Sequence, residues 1–253
     1  MEAGAMTLMG VYVLAFAFGA CFGSFANVVI YRWPRELSLI SPGSSCPHCQ
    51  KKIKLYENIP IISWLFLKGR CSGCKERISI EYPLVELLTG LLFLAIFYKS
   101  GFTWTTLELC VFTAAAVPCF FIDYKHMFLP DIYTLSGIVI GILGSLINPE
   151  LRTPFASLLG AILGGGFFYM TAVFYKKLRG IDGMGGGDIK LMAWLGALLG
   201  AQSLVFILMV SSVAGTLVGS YILFTQKKSS HNIAIPFGPF LIFSAYAYYF
   251  LMS

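Results

Sequence analysis

Apolar segments of about membrane-crossing length recur along this 253-residue chain, and they constrain its fold more than any other feature. A helix needs about 20 mostly apolar residues to traverse a bilayer. Such stretches lie near residues 8–31, 83–99, 104–122, 132–147, 154–175, 188–200, 203–225 and 235–252, the shortest being 188–200. They predict an all-α polytopic membrane protein with roughly eight transmembrane helices. With 57% hydrophobic residues, 12% charged residues and a mean hydropathy of +0.78, an ordinary soluble domain is excluded.

Residues 32–82 interrupt this pattern, with nine of the 18 basic residues and four of the seven cysteines. The expected organisation is a first transmembrane helix (1–31), a small cytosolic insertion (32–82) and a helical bundle (83–253). Basic residues accumulate on the cytoplasmic side of membrane proteins. With the amino terminus outside, sixteen of the 18 Lys and Arg residues, including Lys227 and Lys228, fall inside, and only Lys99 and Arg152 remain outside. The net charge of +6 therefore reads as topology and not as nucleic-acid binding. The first segment lacks a basic start, and Arg32 and Arg35 follow it, so it reads as a permanent helix and not a cleaved signal. Glycines four apart, such as Gly19 and Gly23, Gly137 and Gly141, or Gly160 and Gly164, are expected to let helix backbones approach closely in lipid.

Cys46-Pro47-His48-Cys49 and Cys71-Ser72-Gly73-Cys74 are two C-x-x-C knuckles separated by 21 residues, close to the spacing of a zinc ribbon. Four thiolates, Cys46, Cys49, Cys71 and Cys74, would close a tetrahedral zinc site with no open position, so the metal would be structural. Disulfides are disfavoured in a reducing cytosolic loop. His48 reads as a spacer, because four cysteines already fill the shell.

Carboxylates at the ends of apolar segments cost desolvation energy and are functional candidates. Asp123, Asp131, Asp182 and Asp188 all fall at one mouth of the expected bundle. Asp131 follows Pro130 and has the position of a helix cap; Asp182 sits in a loop near Arg179, where solvation suffices. Asp123 closes a helix at the end where a negative charge opposes the dipole. Asp188 follows Gly185-Gly186-Gly187, where missing side chains let a substrate strand approach the backbone. Two carboxylates a few ångströms apart share a proton, so one can act as base on water while the other acts as acid on a peptide carbonyl and its leaving amine. Lys125 and Lys190, each two residues beyond one of these acids, are expected to snorkel toward lipid phosphates.

Asp123 with Leu129-Pro130-Asp131, and the run Gly183-Met184-Gly185-Gly186-Gly187-Asp188-Ile189-Lys190-Leu191, resemble the type IV prepilin peptidase family of GxGD-type intramembrane aspartic proteases. Gly23-Ser24-Phe25 with Asn27, Val28 and Arg32, the two cysteine knuckles, Tyr56-Glu57-Asn58-Ile59-Pro60, Ser63-Trp64-Leu65, Tyr82-Pro83-Leu84-Val85-Glu86-Leu87 and Ile235-Pro236-Phe237-Gly238-Pro239-Phe240 follow the family in order. Essentially the whole chain is covered; Ser244 departs from the glycine or alanine expected there. The resemblance implies a multi-pass protein of the bacterial inner membrane that cleaves the basic leader from type IV prepilins and type II secretion pseudopilins after a glycine, on the cytoplasmic side. Asp123 and Asp188 match its catalytic pair.

Members with the cysteine domain also methylate the new amino terminus with S-adenosylmethionine. No Rossmann pattern exists here, so the methyl-donor site would be built from residues 32–82 and adjoining helix ends, with Gly23, Ser24, Asn27, Glu57, Asn58 and Glu86 as candidates. Each also has a structural reading: Ser24 and Asn27 bonding between helices, Glu57 and Asn58 shaping a loop, Glu86 pairing with an arginine. Two other functions fit the same acids, a peptidase without methylation and a proton-coupled transporter. Placement of both acids at one membrane face disfavours the transporter. Oligomeric state is not legible.

Overall fold

The computed structural model describes residues 2–181, 183–226 and 235–252. Asp182, Lys227 and Lys228 lie outside the described residues. Nine α-helices are described: α1 (Glu2–Arg32), α2 (Ile62–Phe66), α3 (Glu81–Ser100), α4 (Trp104–His126), α5 (Asp131–Ile147), α6 (Pro154–Arg179), α7 (Gly186–Leu199), α8 (Ser203–Gln226) and α9 (Gly238–Met252). No strand occurs among the described residues, only isolated bridges between Ser45 and Lys52 and between Arg70 and Arg77. Five helices, α1, α3, α4, α6 and α8, are long and apolar enough to cross a membrane, and α5 and α9 are shorter apolar helices. The chain is an all-α polytopic membrane protein.

Chain contacts divide it into two compact units, Met1–Pro118 and Cys119–Ser253. The division falls inside α4 at Pro118, which lacks the amide a helix needs at that position. In the first unit α1 packs along α3. Lipid gives no hydrophobic drive between helices, so close van der Waals packing must hold them. Glycine supplies the closeness: a Cβ on Gly19 would lie 2.6 Å from Phe93 Cβ, and one on Gly23 would lie 2.7 Å from Glu86 Cα. Tyr12 on Phe97 and Phe22 on Phe93, with centroids 6.0 and 5.6 Å apart, extend the contact. Between these helices runs the polar segment, built from short 3₁₀ turns, α2 and the two knuckles.

In the second unit α7 is the core. Its residues from Leu191 to Leu199 are all buried except Ala193, and α5, α6, α8 and α9 pack around it. Gly137 of α5 faces the Trp194 ring, while Gly160 of α6 and Gly196 of α7 meet backbone to backbone. At 14 residues α7 is only about 21 Å long, shorter than the ~30 Å hydrocarbon layer. Such a helix is apolar on every side because protein, not solvent, surrounds it. Outward-facing residues on α6 and α8, among them Ile162, Met170, Val205, Met209 and Leu217, stand exposed, a surface suited to lipid.

Candidate functional site

The first candidate site lies at one end of the second unit, where α4 ends and α5, α7 and α9 begin. Asp123 sits in the last turn of α4, which runs on to His126; Lys125 and His126 supply the cations that suit this helix end. Asp123 is buried at 5% exposure, and its Oδ2 accepts a hydrogen bond of 3.1 Å from the Gly238 amide at the start of α9. Asp188 occupies the first turn of α7, whose cap is Gly185, and among the described residues its side chain takes no hydrogen bond. Leu129 links the two acids: a Cβ on Gly187 would be 3.0 Å from Leu129 Cβ, and one on Gly238 would be 3.4 Å from Leu129 Cδ1. Asp123 and Asp188 are also within electrostatic reach of one another.

Asp131 takes a different place from the cap expected of it. Pro130 is the cap, Asp131 is the first helical residue, and its Oδ1 pairs with Lys190 Nζ at 2.6 Å. The reason is geometric: Pro130 already holds the extended conformation that opens the helix, so the carboxylate is free to reach α7. Lys190 is thereby committed to an ion pair rather than left to reach for lipid.

The second candidate site is in the first unit. The Sγ atoms of Cys46, Cys49, Cys71 and Cys74 all lie within 4.8 Å of one another, with Cys46–Cys74 at 3.8 Å and Cys49–Cys71 at 3.9 Å. These are far too long for disulfides, whose sulfurs sit about 2.05 Å apart. They match the ~3.8 Å edge of a tetrahedron with metal–sulfur bonds of about 2.3 Å. The knuckles are built alike: the amides of Cys46 and Cys71 donate to Lys51 and Glu76, and those of Gln50 and Lys75 donate back to Cys46 and Cys71. Gln50 and Lys75 both take positive φ, 58° and 62°. Backbone N–H groups of Cys74 and then Gly73 pull the Cys71 thiol down to about 6, which favours the thiolate that binds metal. Together the four cysteines can hold one metal ion, and His48 is not among them.

Beside the cluster is a cavity of about 600 Å³. Ser24 and Asn27 of α1, Glu57 and Asn58 of the turn before α2, and Tyr82 and Glu86 of α3 line it, together with Cys46 and Cys71. The structure thus gathers five of the six residues expected at a methyl-donor site; Gly23 instead faces α3 across the helix contact. Several of the five also hold the scaffold. Asn27 Nδ2 donates to the Tyr82 carbonyl at 3.0 Å, and Glu57 Oε2 accepts from the Lys54 amide at 3.1 Å. The Lys54 amide, then Ser72, then the nearby Lys51 hold Glu57 below the usual carboxylate range. Glu86 does not pair with an arginine: its Oε2 accepts from the Ile61 amide at 2.7 Å. Ile61 has φ 62° and ψ −52°, the centre of a γ-turn closed by Ile62 N–H on the Pro60 carbonyl. A β-branched residue in that conformation is strained, and the buried carboxylate is what holds it. No sequence signal marks this turn, since it runs against the residue's own preference.

Residues 17–100 match the bacterial peptidase A24 N-terminal domain, and residues 110–220 match the type IV leader peptidase family. Proteins named prepilin leader peptidase/N-methyltransferase are similar along nearly the whole chain. The one from Neisseria gonorrhoeae is 37% identical over 92% of this chain and 88% of its own length. The one from Aeromonas hydrophila is 38% identical over 91% and 87%, and the one from Pseudomonas putida 37% over 90% and 86%. The chain belongs to the type IV leader peptidase family. No solved structure matches this leader peptidase chain. The two family regions fall largely one in each compact unit, so the acid pair sits within the peptidase region and the cysteine cluster and cavity within the N-terminal one.

The Ile235–Phe240 motif, whose role is not legible in the sequence, brings the Gly238 amide onto Asp123. Arg152 lies in the short loop between α5 and α6, as expected, but not as an exposed cation. Arg152 is buried, and its guanidinium donates to the carbonyls of Ala197, at 2.5 Å, and Gly141. A cation on the last carbonyls of α7 suits that helix end.

Proposed function

We propose that this protein cleaves the basic leader peptide from type IV prepilins and type II secretion pseudopilins, then methylates the new amino terminus with S-adenosylmethionine. Asp123 and Asp188 are the catalytic pair. The observation that carries this reading is their placement at one end of the second unit, one acid buried and hydrogen-bonded, the other in a helix's first turn within electrostatic reach of it. Water attacks the scissile carbonyl as one carboxylate takes its proton; the other gives a proton to the carbonyl oxygen. Collapse breaks the C–N bond as a proton passes to the amine, and both carboxyl groups return to their starting state. Gly185 and Gly186 leave room for the substrate strand: a Cβ at Gly186 would meet nothing within 4 Å.

The methyl donor occupies the first unit's cavity, whose volume is within the ~300–1,000 Å³ range of small-molecule sites. Ser24, Asn27, Glu57, Asn58 and Glu86 supply its polar wall, and carboxylates there suit a sulfonium cation. S-adenosylmethionine supplies the methyl group that the pilin amine accepts with loss of a proton. Zinc on Cys46, Cys49, Cys71 and Cys74 is structural, with all four positions filled by protein. The protein lies in the inner membrane with its amino terminus outside and both sites cytoplasmic, as the basic-residue bias supports. Roughly eight helices span, α7 being shielded by its neighbours.

The test uses purified protein and a prepilin. Asp123→Asn and Asp188→Asn should each abolish leader release, while methyl transfer from labelled S-adenosylmethionine to pilin already cleaved should persist. Normal processing by either variant would overturn the dyad.

A further inference from the structure

Among the contacts of the acid pair, one is asymmetric. Gly238 N–H donates to Asp123 Oδ2, whereas among the described residues no hydrogen bond reaches the Asp188 side chain. The contact also fixes the residue type: a Cβ on Gly238 would lie 2.6 Å from Asp123 Oδ2 and 3.2 Å from its Cγ, so only glycine lets the amide come this close. Gly238 is buried and begins α9, so its amide is one of the unpaired donors at a helix start, where anionic groups are favoured. Hydrogen bonds to a carboxylate favour its charged form, more so away from water.

We propose that Gly238 is a positioning residue for cleavage: its amide keeps Asp123 as the ionised member of the pair and so leaves the shared proton on Asp188. This rests on the peptidase reading above and gives each acid a distinct part. Asp123 takes the proton from the attacking water as the oxygen–carbon bond forms. Asp188 donates its proton to the carbonyl oxygen. On collapse, Asp123 passes the water-derived proton to the departing amine, and the hydroxyl formed on the carbonyl oxygen returns its proton to Asp188, so no net proton is gained or lost by the pair. The other titratable groups near Asp123 are Tyr124, Lys125 and His126, which follow it in the last turn of α4, Cys119, one turn earlier, and Tyr133 of α5, within reach of Cys119. The remaining charged groups on α5 and α7 at this end, Asp131 and Lys190, are paired with each other. The described part of α9 carries no Asp, Glu, Lys, Arg or His.

The test is Gly238→Ala in purified full-length protein, assayed on a prepilin across pH. Losing the amide contact should lower kcat by about tenfold to a hundredfold, leave KM within about twofold, and move the acid limb of the kcat profile up by about one pH unit or more. Unchanged kcat, or a fall in kcat with the acid limb unmoved, overturns the assignment. A second measurement does not depend on how that variant folds. The infrared difference spectrum between the unaltered protein and Asp188→Asn should show loss of one protonated-carboxyl stretch. Loss of an ionised-carboxylate band instead would place the proton on Asp123 and overturn the proposal. Should Asp123→Asn still cleave prepilin, the peptidase reading itself fails; with that variant inactive, the outcomes above bear on Gly238 alone.

Discussion

The two units hold their polar groups in opposite ways. In the first, the candidate site is made of loops: knuckles, a 3₁₀ turn and a γ-turn, tied by backbone bonds such as Ile61 N–H on Glu86 and by the Lys51–Ser72 contact of 2.9 Å. Little core lies beneath it, for α2 has no buried residue. In the second, the acids stand on helix ends whose bodies are locked by close packing, as at Gly160 against Gly196 and Gly137 against Trp194. A site made of loops depends on a local staple, here four thiols; a site made of helix ends depends on the bundle. Damage to one should therefore spare the other.

The largest expected effect tests that independence from the bundle side. Replacing Asp188 with Asn removes one of two groups that act as a unit, so leader cleavage should fall by on the order of 10³-fold or more. Methyl transfer to a pilin with its leader already removed should stay within about twofold, because Asp188 touches nothing in the cavity. A parallel loss of both activities in a well-folded variant would show that the units do not function separately.

The complementary insult is removal of the staple. With zinc on the cluster as proposed, Cys46→Ser or a strong chelator would take away one ligand or the ion itself, and structural zinc contributes folding energy outright. Residues 33–80 should become protease-sensitive and methylation should be lost, while cleavage of a short prepilin peptide persists at more than about half its rate. Equal loss of cleavage would mean that the cysteine region also supports the acid site.

A smaller effect is expected at Glu86. Glu86→Gln keeps an oxygen that can accept from Ile61 but removes the charge, at a cost of about 1 kcal/mol for that bond, or roughly a fivefold weaker methyl-donor affinity. Glu86→Ala frees the strained Ile61 turn and should weaken it by more than tenfold. If titration of the methyl donor gave the same affinity for both variants and the parent, the γ-turn would have no part in the cavity.

Much of this architecture was legible because its causes are local. Apolar runs gave the order of every long helix from α1 to α9, since lipid demands continuous hydrophobicity over a span. C-x-x-C spacing pointed to the four-cysteine cluster, because a knuckle is closed within a few residues. Glycine spacing pointed to the close contacts at Gly19, Gly23 and Gly160. What stayed hidden depends on distant partners. The Gly238–Asp123 bond joins residues 115 apart, and Glu86–Ile61 joins residues 25 apart. Arg152 is the loop cation it looked like, but nothing in its neighbourhood predicts the carbonyls of Gly141 and Ala197 converging on it. α4 runs one turn past Phe121 and Ile122, where hydropathy falls, and carries Asp123 to its partner on α9.

The smallest effect separates position from charge at the acid site. Lys190 follows Asp188 by two residues, and its bond to Asp131 ties the first turn of α7 to the first turn of α5. The side chains are 36% and 60% exposed, so the pair is screened by solvent and contributes on the order of 0–1 kcal/mol. If the pair only steadies the turn that carries Asp188, Lys190→Met should slow cleavage by less than about fivefold, and the double variant with Asp131→Asn should be no slower than the single one. If Lys190 instead acted on reacting oxygens, its loss would be the larger injury and Asp131→Asn alone, by releasing the ammonium, would speed cleavage or leave it unchanged. A double-mutant cycle on kcat distinguishes these cases. A coupling near the full single-variant effect would assign Lys190 to holding α7 in register and leave the chemistry to the two aspartates.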